Sequence, residues 1–178
     1  MNKLILVDEN DVPLGTVEKM EAHEKALLHR AFSVFIFNSK GEMLLQQRAA
    51  NKYHSGGLWT NACCSHPYSE QDIVAAAEKR LKEEMGFSVP LTKAFEFVYK
   101  AGFDNGLTEH EYDHVFTGIY DGAIVPDKEE VNDFCFKTLD AIKESLNSHP
   151  GQYTVWFKIA FPKMEDYLAK KINSAGFK

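Results

Sequence analysis

Two neighbouring thiols and an imidazole occur within residues 58–67, a run of ten residues without a charge. If this run is extended, alternation divides it into two faces, with Ala62, Cys64 and His66 on one and Asn61, Cys63 and Ser65 on the other. A thiol and an imidazole on one face could act on one substrate. Free cysteines are also among the most buried residues, so taken alone the pair is more typical of a core.

A second set of reactive groups lies in residues 109–119, which alternate in polarity. The pattern predicts a strand with Glu109, Glu111 and Asp113 on one face and His110, Tyr112 and His114 on the other. Carboxylates two residues apart are separated by about 7 Å along a strand and can converge on one cation. A solvated strand face would give the same pattern, but the apolar continuation at residues 115–120 indicates a strand that enters the core.

A third group is the carboxylate of Glu84, in a helix predicted over residues 71–85 and ended by Gly86. One arc of that helix holds Ile73, Ala77, Leu81 and Glu84. A carboxylate on the apolar side must be paired, protonated or bound to a cation. An ion pair with Arg80, one turn earlier, and metal binding explain the position equally well.

The elements that must position these groups can be predicted from periodicity and turn residues. Strands are expected at residues 4–7, 31–37, 42–47, 95–101, 109–119 and 131–136. Residues 8–15 are predicted as a turn, residues 16–22 show no clear period, and residues 48–57 form a polar loop. Ser69 with Asp72 resembles a capping box, and Thr138 caps a short helix. Pro162 would start or kink a final helix.

The strand at residues 31–37 is apolar on both faces, with Phe32, Val34 and Ile36 on one and Phe35 and Phe37 on the other. Such a strand is typically central and covered on both sides. Strands and helices interleave along the chain, which predicts an α/β or α+β class with a mixed sheet. At 178 residues the chain is most simply one domain, residues 1–178.

Composition narrows the classes of function. A net charge of −6 argues against a nucleic-acid binder. The cysteines are three in number and two are adjacent, which argues against a disulfide framework and favours a reducing, cytoplasmic location. The apolar run near residue 34 is too short to span a membrane, and the one at residues 4–7 is too short for a secretory signal. We therefore expect no nucleic-acid or membrane partner.

A series of short motifs follows in order along the chain: Glu18-Lys19 with His23, Leu28-His29, Arg48, Lys52, the tract Trp59-Thr60-Asn61-Ala62-Cys63-Cys64-Ser65-His66-Pro67, Glu83-Glu84-Met85-Gly86, Tyr99, Glu109-His110-Glu111 and Trp156. Over about residues 19–156 the chain resembles the type 1 isopentenyl-diphosphate isomerases, a branch of the Nudix superfamily. The resemblance implies a Nudix-like mixed β-sheet sandwiched between helices, with its core at about residues 29–147.

The chain departs from the full Nudix motif, which would have Gly at Ser65, Glu at Gln71 and an Arg-Glu pair at Lys79-Arg80. Nudix hydrolysis uses carboxylates on the helix to hold divalent metals. A cation at Arg80 removes one such ligand and adds a charge that binds phosphate. The helix is therefore predicted to bind a diphosphate rather than to take part in its cleavage.

The resemblance implies isomerisation of isopentenyl diphosphate to dimethylallyl diphosphate through a tertiary carbocation. Glu111, helped by Tyr99, would deliver one proton, and Cys64 would remove the other. Trp156 would turn a π face to the cation, a contact worth about 2 kcal/mol when desolvated. That is roughly thirtyfold in rate, so proton placement and exclusion of water must supply the rest.

The resemblance also implies the ligand sets. The expected metal ligands are His23, His29, His66, Glu109 and Glu111, for Mn²⁺ or Zn²⁺ or else Mg²⁺, and Glu84 for Mg²⁺ on the diphosphate. The expected diphosphate contacts are Lys19, Arg48, Lys52 and Arg80. Solvated loop lysines would explain Lys19 and Lys52 equally. His110 and His114 are predicted to face away, and Cys63 and Cys135 to pack in the core. No flavin is expected.

Two other classes of function remain open. A Nudix hydrolase would cleave a nucleoside or prenyl diphosphate, but the degenerate motif argues against it. A non-catalytic metal- or nucleotide-binding module would have no use for Cys64, Glu111 and Tyr99 together. We expect a small-molecule enzyme that is a monomer or a weak homodimer.

Overall fold

A computed structural model of the protein describes residues 3–52, 54–68 and 71–175, and within these ranges nine strands form one sheet. The strands are β1 (Leu4–Val7), β2 (Pro13–Val17), β3 (His29–Phe37), β4 (Met43–Arg48), β5 (Trp59–Asn61), β6 (Cys63–Ser65), β7 (Thr92–Gly102), β8 (Thr108–Ile119) and β9 (Val131–Lys137). The helices are α1 (Lys19–Glu24), α2 (Ile73–Met85), α3 (Leu139–Ser148) and α4 (Val155–Ala175), with a 3₁₀ turn at Pro150–Gln152. No helix in these ranges is long and apolar enough to cross a bilayer.

Strand β3 is the centre of the sheet. It pairs antiparallel with β1, β4 and β6 and parallel with β8, and the parallel register runs from His29 opposite Glu111 to Phe37 opposite Ile119. Strand β7 pairs antiparallel with the other edge of β8, and β9 pairs antiparallel with β4. An imidazole and a carboxylate from distant parts of the sequence are thereby placed on adjacent strands.

Both faces of the sheet are covered by helices, as the apolar pattern of β3 predicts. Phe35 and Phe37 pack on one side with residues of α4, among them Phe157. Phe32, Val34 and Ile36 pack on the other side with residues of α2, among them Leu81 and Met85. Burying one such side chain is worth roughly 1.5–3 kcal/mol. Some buried residues, such as Leu4 and Phe157, lie outside residues 29–147.

Helix α2 begins two residues later than predicted and ends as predicted. The Asp72 carboxylate accepts a hydrogen bond from the Ala75 amide at 2.9 Å and caps the helix. Gly86 closes it with φ +80°, and a Cβ there would meet the Val125 carbonyl oxygen at 2.1 Å. Glycine is therefore required at the end of the helix that carries Glu84. Ser69, the other half of the predicted capping box, lies outside the described residues.

The local structure differs from the sequence-based expectation at four places. Strand β2 and helix α1 occupy segments predicted as a turn and as aperiodic. All of β2 except Val17 is exposed, and α1 has six residues, so neither can show a hydrophobic period. Helix α4 already begins at Val155 and continues through Pro162, so this proline does not start it. The alternation across residues 61–66 also breaks, because a bend at Ala62 separates β5 from β6.

Candidate active site

A pocket of about 90 Å³ gathers the predicted chemical groups beside β3 and β8. Every predicted site residue except His23 and His29 lines it. Those two histidines have no exposed surface, but they belong to the same group of possible metal ligands as His66 and Glu111, which line the pocket. Ser33, His54 and Glu130 also line the pocket, although the sequence did not mark them as site residues.

Three imidazoles and a carboxylate form the most compact group of the site. His23 lies on α1, His29 begins β3, His66 follows β6, and Glu111 lies on β8; their ligand atoms are all within 4.8 Å of one another. His66 Nε2 is 3.2 Å from His29 Nε2 and 2.9 Å from Glu111 Oε1. Nitrogen and oxygen donors at such separations suit one divalent ion.

Hydrogen bonds on the far side of the rings fix which nitrogen faces this group. His23 Nδ1 donates to the Lys19 carbonyl at 2.7 Å, and His29 Nδ1 donates to the Leu27 carbonyl at 2.8 Å. Both rings therefore turn a lone pair on Nε2 toward the cluster, as metal-binding histidines do. Burial lowers the pKa of His66 to about 4, so its ring is neutral at pH 7. The residues thus fit a metal ion.

Glu109 belongs to a second group, with His23 and His54, in which the ligand atoms again lie within 4.8 Å. Glu109 Oε1 is 3.3 Å from His54 Nε2. Burial, followed by the charge of Arg48, lowers the pKa of His54 to about 3. The expected ligand set is therefore divided between two groups that share His23, and the second contains a histidine from the predicted polar loop.

The phenol of Tyr99 connects the two carboxylates. Its hydroxyl lies 2.7 Å from Glu111 Oε2 and 2.9 Å from Glu109 Oε2, and it can donate to either. Burial and the charge of Glu111 hold the pKa of Glu109 well above its usual range. Burial by itself would raise the pKa of Glu111. The interactions with His66 and His29 outweigh the effect of burial and hold the pKa of Glu111 well below its usual range. Of the two carboxyl groups, Glu109 is therefore the one that is protonated more readily.

Cys64 faces the same pocket from β6. Its Sγ donates to Asn61 Oδ1 at 3.1 Å and lies 3.4 Å from Ser33 Oγ, which donates to Asp113 Oδ2 at 2.7 Å. Burial, followed by the charge of Asp113, raises the pKa of the Cys64 thiol. Cys64 is therefore a thiol in this state.

The predicted faces of the two thiols are confirmed. Cys63 has no exposed surface and packs in the core under α2, whereas Cys64 and His66 line the pocket. Ala62 was expected beside Cys64 but packs with Cys63, because the bend between β5 and β6 resets the alternation. On β8, His110 Nδ1 donates to the Ala26 carbonyl and His114 contacts Asp11, on the face away from the pocket.

Four cations also line the pocket: Lys19, Arg48, Lys52 and Arg80. Arg80 on α2 donates to Glu84 Oε1 at 2.7 Å, so the ion pair considered from the sequence is present, and Gln46 donates to Glu84 Oε2 at 2.9 Å. One oxygen of Glu130 contacts the ammonium of Lys52 and lies 3.7 Å from Arg80 Nη2. Hence two of the cations that were predicted to bind a diphosphate, Lys52 and Arg80, are paired with internal carboxylates.

Trp156 closes the pocket from α4 and is 4% exposed. The guanidinium carbon of Arg48 lies 5.2 Å from the centre of its ring, within the range of a cation–π contact. The His54 ring meets the indole edge-on at 5.7 Å between centroids. The π face that was expected to meet a carbocation thus carries a cation already.

Comparisons with known proteins agree in family and fold. The NUDIX domain family model matches residues 27–157. The chain is 47% identical over 167 residues to an isopentenyl-diphosphate Delta-isomerase of Pectobacterium atrosepticum, covering 94% of this chain and 93% of that protein. It is 50% identical over 155 residues to isopentenyl-diphosphate Delta-isomerase 2 of Photorhabdus laumondii, covering 87% and 88%. A solved MutT protein of Methanosarcina mazei superposes with a TM-score of 0.64 at 17% identity, covering 78% of this chain and 94% of that one, a likeness of fold.

Proposed function

The chain belongs to the isopentenyl-diphosphate Delta-isomerase family of the Nudix superfamily, and we propose that its pocket interconverts isopentenyl and dimethylallyl diphosphate by moving two protons. The observation that carries this proposal is the presence of Cys64, Tyr99 and Glu111 in one pocket. The allylic shift adds a proton at one carbon and removes one from another, so it needs an acid and a base that reach the same short chain.

On the acid side, we assign proton delivery to Glu111 with Tyr99. Glu109 is protonated more readily than Glu111, and the Tyr99 hydroxyl lies within hydrogen-bond distance of both carboxyl groups. Tyr99 can therefore donate to Glu111 while it accepts from Glu109. This arrangement supports transfer of the proton from Glu109 to Glu111 and on to the substrate.

On the base side, we assign proton removal to Cys64. The sulfur has Asn61 Oδ1 and Ser33 Oγ as hydrogen-bond partners, and these fix its direction in the pocket. The intermediate between the two proton transfers is a tertiary carbocation. Trp156 stabilises it through the face of its indole ring once Arg48 has moved to the diphosphate.

The diphosphate is assigned to Lys19, Arg48, Lys52 and Arg80, all of which line the pocket. Glu84 would hold Mg²⁺, whose charge would offset the repulsion between this carboxylate and the diphosphate. The imidazole and carboxylate groups would hold Zn²⁺ or Mn²⁺, which would act as a Lewis acid and lower the pKa of groups bound to it. The three free thiols support a reducing, cytoplasmic location.

Incubation with isopentenyl diphosphate in heavy water tests the proposal. We expect deuterium in the new methyl group of dimethylallyl diphosphate, seen by NMR, and no release of inorganic phosphate or diphosphate. A hydrolase on the same scaffold would give the opposite result, phosphate release without deuterium in the carbon chain.

A further inference from the structure

Gln46 is a buried glutamine of β4 that the sequence did not mark as a site residue, and only 3% of it is exposed. Its Nε2 donates to Glu84 Oε2 at 2.9 Å and to the Ala62 carbonyl at 2.7 Å. A carboxylate and a carbonyl oxygen can only accept, so the nitrogen of the amide must face both of them. Both N–H groups of Gln46 are therefore engaged, and the orientation of its amide is fixed.

The contact with Ala62 anchors this amide to the sheet. Ala62 lies at the bend between β5 and β6. Strand β4 itself is paired on both sides, with β5 and with β9. Gln46 is thus held by a backbone carbonyl and by a strand that has no free edge along this stretch. Its amide is a fixed point against which the Glu84 carboxylate is oriented.

Arg80, the other partner of Glu84, is held less firmly. Its guanidinium donates at 2.7 Å to Glu84 Oε1 and also at 2.7 Å to Glu83 Oε2. The Arg80 side chain is 28% exposed, against 8% for that of Glu84. The proposed function assigns Arg80 to the diphosphate. When Arg80 turns to that ligand, Gln46 still holds the Glu84 carboxylate.

A single carboxylate that binds Mg²⁺ needs such support. Mg²⁺ demands nearly octahedral geometry and is usually held by one or two carboxylates together with phosphate oxygens, so the direction of each carboxylate matters. Ligating carboxylates are themselves hydrogen-bonded, and loss of such a partner typically costs about 10–100-fold in metal affinity or activity. Glu84, with Oε2 held by Gln46 and Oε1 shared with a cation that can leave, fits this pattern.

We propose that Gln46 is a positioning residue, which holds the Glu84 carboxylate in the direction in which it binds Mg²⁺ once the diphosphate has engaged Arg80. The inference rests on the diphosphate and Mg²⁺ sites assigned under the proposed function. It adds a residue from another element, β4, that acts on the substrate only through Glu84.

Calorimetric titration with inorganic diphosphate at a series of Mg²⁺ concentrations tests the inference without turnover. Gln46→Met keeps the length of the side chain and removes both N–H groups. We expect it to raise the Mg²⁺ concentration at half effect by about tenfold or more. Binding of diphosphate without Mg²⁺ should stay within roughly twofold of wild type, because Gln46 acts on the carboxylate and not on the cations.

Gln47→Met is the matched control. Gln47 is the next residue of β4 and also donates to a backbone carbonyl, that of Gly57, at 3.0 Å. This variant should show the Mg²⁺ requirement of the wild type. An unchanged Mg²⁺ requirement in Gln46→Met would overturn the inference. So would a loss of diphosphate affinity that is equal with and without Mg²⁺, because it would give Gln46 a structural role alone.

NMR of side-chain amides in the wild-type protein keeps the inference testable if the variant does not fold. The Gln46 Nε2 proton signals should shift when Mg²⁺ is added to the protein saturated with diphosphate, because the acceptor of one proton then carries the ion. Unshifted signals, in a protein whose diphosphate affinity responds to Mg²⁺, sink this inference alone. A wild-type affinity that does not respond to Mg²⁺ removes the Glu84 assignment of the proposed function, and the role of Gln46 with it.

Discussion

At the scale of single residues, the protonation states that the side-chain contacts of the pocket favour are those that a forward turnover leaves behind. Burial keeps Cys64 as a thiol, and the two neighbouring histidines keep Glu111 as a carboxylate. To convert isopentenyl diphosphate, Cys64 must first lose its proton and Glu111 must gain one. The reverse reaction can start directly from the state that the geometry favours. Proton redistribution between turnovers is therefore part of the proposed cycle.

The two adjacent cysteines give a matched test of the proposed base. Cys64→Ala should lower turnover by at least a thousandfold while inorganic diphosphate still binds, because only the proton acceptor is lost. Cys63→Ala should keep activity within about threefold and cost roughly 1 kcal/mol of stability, since it removes a small buried group. Steady-state kinetics and diphosphate titration measure both. Activity of Cys64→Ala within tenfold of wild type would remove Cys64 from the mechanism.

The raised pKa of Cys64 can be measured through its alkylation. Only the thiolate reacts, and burial shifts the pKa upward, so the reactive fraction is small at pH 7. The rate of modification by iodoacetamide, followed by mass spectrometry of the Cys64 peptide, should rise by about tenfold per pH unit up to pH 9. A rate that levels off below pH 8 would show a thiolate at neutral pH and contradict this reading.

At the scale of secondary-structure elements, the sequence predicts the strands and helices that have a clear hydrophobic period. The period of two in β3 and β8 predicts which residues face each helix layer and that Glu109, Glu111 and Asp113 share a face. It does not predict β2 or α1, because an exposed hairpin strand and a six-residue helix carry no apolar stripe. Helix α1 nevertheless supplies Lys19 and His23, and those two positions were expected only from the resemblance to a family.

Contacts between distant elements were also beyond prediction from single residues. His54 and Glu130 meet the site through tertiary packing, since they come from the loop after β4 and the segment before β9. No motif in the surrounding sequence marks either residue as part of a site. The only sign in the sequence was that both residues are polar. Polar residues in loops are usually exposed to solvent, so this sign did not indicate a place in the site.

The carboxylate of Glu130 holds Lys52 and Arg80 before substrate arrives. A diphosphate must displace it from Lys52, and like charges repel. We expect Glu130→Gln to tighten binding of inorganic diphosphate without Mg²⁺ by about two- to fivefold, in line with a partly exposed ion pair.

Isothermal titration calorimetry with and without Mg²⁺ measures this effect. Glu129→Gln is the matched control, because Glu129 is adjacent and exposed. Weaker binding in Glu130→Gln would mean that Glu130 positions the cations for the diphosphate instead of competing with it.

At the scale of the whole molecule, the imidazole cluster joins α1, β3, β8 and the segment after β6. An ion that binds the folded chain alone stabilises it by about 2.7 kcal/mol at a hundred times its dissociation constant. For a chain of this size that corresponds to a rise in Tm of roughly 5–10 °C. Calorimetry with added Zn²⁺ and then a chelator should show this rise and its loss. His66→Gln should respond much less than His149→Gln, and equal responses would place the ion elsewhere.

The parallel pairing of β3 with β8 also restricts how this protein can evolve. His29 is level with Glu111, and the register continues without a shift to Phe37 and Ile119. An inserted or deleted residue within either strand would turn every later side chain of that strand to the opposite face. The imidazole and carboxylate cluster that contains His29 and Glu111 would then be disrupted. The turn between β7 and β8 carries no such constraint. Among descendants of this chain, length variation should therefore collect at that turn, and the paired strands should change by substitution alone.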